Sequence, residues 1–118
     1  MNTEKQERRL KKIKIALMRN PQFAFWGSIM MIGKTEVRAG VPSAYTNGRD
    51  EIYGAEFIDG LEDKELAFVV MHENMHKAYR HLFTWKKLWD IDKQLANAAC
   101  DYVINIQLQD LDPKQTVI

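Results

Sequence analysis

The stretch Leu66-Ala67-Phe68-Val69-Val70-Met71-His72-Glu73-Asn74-Met75-His76 decides how this chain is read. An unbroken apolar run passes directly into the pattern H-E-x-x-H, which marks a helix entering a core. Positions four apart on a helix share one face, with Cβ atoms about 5–6 Å apart. His72 and His76 can therefore reach a single metal ion, and Glu73, one step round, borders the same place. In this reading two neutral imidazoles hold Zn2+, an open position keeps a water, and the carboxylate takes that water's proton. His and Glu are common on exposed helices, so the five residues alone are a weak signal. The apolar run before them strengthens it: a buried Glu with no partner is heavily penalised, and a nearby cation removes the penalty.

Working outward, the acidic residues Glu62, Asp63 and Glu65 suit the positive end of a helix dipole. The spacing predicts a helix from about Glu62 to Leu82. A short connection around Thr84 to Asp92 follows, with Trp85, Leu88 and Trp89 as packing anchors and Lys86 and Lys87 exposed. A last helix is expected from about Ile91 to Leu108, closed by Asp112-Pro113. Its apolar sequence is interrupted at Asn97, Asp101 and Asn105, which are spaced by four and form one polar ridge. That ridge is either an exposed stripe or a face turned toward something polar.

Catalytic zinc usually takes three protein ligands plus water, and Asp101 is the best-placed oxygen donor for the third. Asn97 and Asn105, one turn either way, are then candidates to hydrogen-bond ligands or substrate. His81 competes for the third position, but it lies five residues after His76 and about 140° round the ideal helix from it, which favours a packing role. Cys100 sits off the ridge and reads as a buried thiol. Tyr79 shares the histidine face, where it walls the site, helps to bind the oxyanion or packs in the core.

Toward the N-terminus, Leu10, Ile13 and Leu17 give a helix over Thr3 to Arg19, ended by Asn20-Pro21. Gln22 to Val37 is rich in aromatic and branched residues and is read as one strand, bent at Gly27. Asn47-Gly48, between Ala44-Tyr45-Thr46 and Glu51-Ile52-Tyr53, is a hairpin signal. Glu56-Phe57-Ile58 is expected to continue the second arm as far as Asp59-Gly60.

The chain has 118 residues, 46% of them hydrophobic, which suits one domain with a proper core. Its formal charge of +1 argues against a nucleic-acid or membrane-surface role. Lys5, Arg8, Arg9, Lys11, Lys12 and Lys14 are concentrated in the first helix, read as its solvated face. A lone cysteine fits a reducing compartment, no signal-peptide core follows the basic start, and no apolar run approaches the roughly 20 residues that span a bilayer. The cytoplasm is the expected location, with no membrane partner.

With these residues assembled, the chain resembles the putative metallopeptidase domain that precedes a von Willebrand factor A-like domain in bacterial and phage proteins, a minimal zincin. The similarity runs through Thr46-Asn47-Gly48-Arg49, Ile52-Tyr53 and Glu56-Phe57. It continues in Leu66 to His81 and in Asn97-x-Ala99-x-Asp101-Tyr102-Val103-Ile104-Asn105. The resemblance implies an α+β zincin-like fold with a small, mostly antiparallel sheet and an edge strand beside the active-site helix. It implies metal ligands His72, His76 and Asp101 and a general base Glu73. Arg80 stands where such sequences often have a small residue, which bears on access to the pocket. Residues 1–118 are expected to form one such domain, either stand-alone or the N-terminal part of a longer protein with a von Willebrand A-like or other protein partner.

The expected activity is zinc-dependent hydrolysis of peptide bonds, with substrate paired along the strand from Ile52 to Phe57. The first alternative is a catalytically silent, metal-stabilised protein-interaction module. The second, a nucleic-acid accessory domain using the basic helix, is disfavoured by the near-zero net charge.

Overall fold

A computed structural model describes residues 3–82 and 93–114, and within them the side chains of all but Phe25, 79–82, Lys93, 95–97 and Cys100. The first helix, α1, spans Glu4–Arg19, and Asn20 leaves it in an extended conformation, as the following proline requires. Leu10 and Leu17 are buried on its inner face, with Ile13 packed beside them. The basic run is not wholly a solvated face. Arg9 donates to the carbonyls of Ile58 and Leu61, both at 2.6 Å, and pairs with Asp63 at 2.9 Å. Lys14 turns inward and is buried.

The segment after α1 departs from the single strand expected over Gln22 to Val37. Ala24–Trp26 form a 3-10 turn, Gly27–Met30 form a short helix α2, and only Thr35–Arg38 are extended, as β1. Phe23, Trp26, Ile29 and Met30 are all buried, so the aromatic and branched residues act as anchors on helical turns. Their composition favours burial but imposes no period of two, which is what a half-buried strand requires. Gly33 has φ +74, and a Cβ there would lie 1.9 Å from the Arg49 carbonyl oxygen. The chain can turn into β1 at this point only with glycine.

The hairpin is present: β2, Ala44–Thr46, pairs antiparallel with β3, Glu51–Gly54, across a turn with Gly48 at φ 93. The sheet is mixed, because β1 runs parallel to β3 and the strand order is β1-β3-β2. This corrects the mostly antiparallel sheet expected from the sequence. The second arm also stops earlier than expected, since Ala55–Asp59 form a short helix, α3. Ala55 and Ile58, three apart, are buried there, so this segment follows the helical spacing.

Gly54 donates its N–H to the Ser43 carbonyl at 2.8 Å, and Asn47 donates to that of Asp50 at 3.3 Å. Since hydrogen-bonded pairs alternate along an antiparallel ladder, Ser43, Tyr45 and Asn47 turn their main chain toward β3. Ala44 and Thr46 turn theirs to the outer edge. The central strand β3 is paired on both sides and buried along its whole length. It therefore offers no edge for a peptide between Ile52 and Tyr53, and Ala55 to Phe57 are helical.

The long helix α4 covers Asp63–Leu82, and α5 covers Lys93–Leu111. Leu66, Val70, Met71 and Met75 of α4 are fully buried, with Ile104 and Leu108 of α5 in the same core. The connection carrying Trp85, Leu88 and Trp89 and the start of the last helix at Ile91 lie outside the described residues. Among the described residues, no helix is long and apolar enough to cross a membrane.

Candidate metal centre

The helix α4 presents His72 and His76 toward α5, where Asp101 meets them, and Glu73 lies next to His72 in the chain. Asp101 Oδ1 lies 3.0 Å from His72 Nε2 and 2.5 Å from His76 Nε2, and the two Nε2 atoms are 3.2 Å apart. Three lone-pair atoms thus converge from two helices. A proton can bridge only one edge of that triangle, whereas a metal ion satisfies all three corners at once. With ligand bonds of about 2.0–2.2 Å, tetrahedral zinc sets its ligand atoms about 3.3 Å apart. The edges of the triangle run from 2.5 to 3.2 Å, tighter than that spacing, and two imidazole nitrogens with one carboxylate oxygen are a donor set that suits a divalent metal ion.

The imidazoles lean on each other and on Phe68. The His72 ring centroid is 4.8 Å from that of His76 and 5.8 Å from that of Phe68. His72 Nδ1 is buried and has no hydrogen-bond partner among the described residues, so ring packing orients this imidazole. The side chains of His72 and His76 are 20% and 10% exposed and that of Asp101 is 48% exposed. The centre is therefore open on the α5 side.

Glu73 is buried beside the two histidines. Burial pushes its carboxyl up to about 7, helped by the negative charges of Asp101 and Glu51. A divalent cation at the adjacent triangle would act in the opposite sense and favour the carboxylate. A cleft of about 150 Å3 reaches this carboxyl, lined by Ser43, Ala44, Phe57, Phe68, Val69, His72 and Glu73. It is walled by apolar side chains, and β2 forms one side.

Residues 5–117, nearly the whole chain, match the description "putative metallopeptidase domain". The chain belongs to this family. No curated protein matches the chain, and neither does any solved structure. Membership of a metallopeptidase family and the His72-His76-Asp101 cluster together suggest a bound metal ion.

Of the other residues singled out in the sequence, Asn105 is exposed one turn beyond Asp101, with no hydrogen bond to either histidine among the described residues. The side chains of Asn97, Tyr79, His81 and Cys100 lie outside the described ones. Sequence reasoning missed Glu51, which is fully buried behind α4. The signal available was the pair of polar residues Asn74 and Lys77, three apart beside the apolar positions Val70, Met71 and Met75.

Proposed function

We propose that this domain is a zinc-dependent peptide hydrolase in which Glu73 is the general base. The observation that carries the reading is the convergence of His72, His76 and Asp101 beside a buried carboxylate that opens on a cleft. A zinc ion held by those three side chains supplies Lewis acidity toward the scissile carbonyl and makes water acidic near neutral pH. Glu73 accepts the proton of the attacking water on its carboxylate oxygen and returns it to the leaving amine nitrogen. The half-exposed Asp101 side chain and the adjacent cleft support a catalytic site over a closed structural one.

The substrate is an extended peptide, held against the outer edge of β2 by β-augmentation. The outward-turned main chain of Ala44, which also lines the cleft, supports this placement. One apolar side chain of the peptide enters between Phe57, Phe68 and Val69 while its backbone passes His72 and Glu73. The test is hydrolysis of a mixed peptide pool by zinc-loaded protein, compared with Glu73→Gln. The variant is expected to keep its zinc and to lose at least about 100-fold in rate. Equal rates in the two proteins overturn the mechanism.

A further inference from the structure

On the other side of α4 from the histidines, five side chains meet around one carboxylate. Glu51, on β3, has no exposed surface. Its Oε1 accepts hydrogen bonds from the Tyr53 hydroxyl at 2.7 Å and Asn74 Nδ2 at 3.0 Å. Its Oε2 accepts from Lys77 Nζ at 2.8 Å, and from Lys14 Nζ and the Thr35 hydroxyl, both at 3.2 Å. The lysines are anchored further: Lys77 donates to the Ile32 carbonyl at 2.8 Å, and Lys14 to that of Met30 at 3.0 Å.

As a source of stability this cluster is a poor choice. Taking three charges out of water is costly, and apolar side chains of the same volume commonly do as well or better. What hydrogen-bonded charges supply and apolar contacts do not is direction, because hydrophobic burial is indifferent to orientation. The direction here is specific. Successive helical residues turn by about 100°, which sets Asn74 and Lys77 about 120° round α4 from the mean direction of His72, Glu73 and His76. A helix held only by Leu66, Val70, Met71 and Met75 is free to roll by small angles on its apolar contacts. Such a roll carries both imidazoles off Asp101, which they meet at 3.0 and 2.5 Å.

We propose that Glu51 is a positioning residue for the metal centre: it grips Asn74 and Lys77 from β3 and so fixes the rotation of α4 that brings His72 and His76 to Asp101. This rests on the reading of those three residues as a metal centre. Glu51 touches neither the metal nor the substrate and acts through the helix.

The test is equilibrium competition for zinc alone against a chromophoric chelator, at a temperature where circular dichroism shows each protein folded. The proteins are the parent, Glu51→Gln, Asn74→Ala and Tyr53→Phe. Asn74→Ala removes one of the two contacts through which Glu51 holds the helix and leaves Lys77 to pair the buried charge, so it reports on the orientation of α4 if Glu51→Gln fails to fold. Tyr53→Phe removes a hydrogen bond to Glu51 from within its own strand and is the control for general loosening of the cluster. The proposal predicts that Asn74→Ala and Glu51→Gln bind zinc about tenfold or more weakly, the range typical of lost ligand support, while Tyr53→Phe binds as the parent does. Folded Asn74→Ala with the parent's affinity overturns the proposal and leaves the metal centre standing, as does an equal loss in Tyr53→Phe. A parent that binds no zinc overturns the metal centre itself, and the positioning role with it.

Discussion

Glu51 shows how much a single buried side chain can set. Burial pushes its carboxyl up, but the ammonium groups of Lys14 and Lys77, with the Tyr53 hydroxyl, more than reverse this and hold it below the ordinary carboxylate range. A carboxyl depressed on folding contributes stability that is present above its unfolded pKa, about 4.3, and is lost as pH falls through the folded value. Urea unfolding between neutral pH and pH about 3 is therefore expected to show a steeper loss of stability in the parent than in Glu51→Gln. Equal slopes would contradict the pairing. Tyr53 has the opposite sign. Burial and the neighbouring Glu51 charge push its hydroxyl well above its usual value, so its contribution is present below pH about 10 and is lost as pH rises beyond it. Tyr53→Phe should flatten that alkaline decline in the same unfolding assay. The meeting of His72 with His76 was legible in the sequence because helical spacing puts them on one face, whereas Asp101, on another helix, stood out only as a polar interruption of an apolar pattern. Glu51 was not legible, because a glutamate opening a short β-prone run reads as an exposed hairpin position until the strand is known to be central.

At the scale of elements, α4 carries two faces at once. Met71 and Met75 are fully buried in the core while His72 and His76 point to α5. Met75→Ala should cost about 2–5 kcal/mol in urea unfolding yet keep the parent's zinc stoichiometry, since it removes packing and no ligand. Loss of the metal in a folded Met75→Ala protein would mean that the two faces are not separable. The turn into β1 is equally specific. Gly33→Ala must accommodate both a positive φ and the Arg49 carbonyl, and should cost more than about 1–2 kcal/mol. The long helices α1, α4 and α5 were legible because they carry apolar residues at three and four apart over many turns. The segments after α1 and after β3 were not, since their composition is apolar but their lengths are too short for periodicity to distinguish turn, helix and strand. The mixed sheet was hidden for a related reason: an Asn-Gly turn specifies its own two strands, whereas β1 joins through a non-local parallel pairing that leaves no local mark.

For the molecule as a whole, the metal centre bridges α4 and α5 at the edge of a core that also engages α1, α2 and the sheet. That arrangement argues for a fold that survives without its ion. Zinc at about 100 times its dissociation constant is expected to add about 2.7 kcal/mol by mass action. Chelation should therefore lower the unfolding temperature while helical circular dichroism persists at room temperature. Collapse of the dichroism on chelation would favour the metal-stabilised interaction module over a hydrolase. The three-residue centre is tested by metal content per chain, measured by elemental mass spectrometry on protein purified without added metal. The parent, His76→Ala and Asp101→Ala are compared after zinc is offered and the excess removed. One zinc per parent chain is expected, with loss of that zinc in both folded variants. A parent that retains no metal, or an Asp101→Ala protein that holds zinc as the parent does, would contradict it.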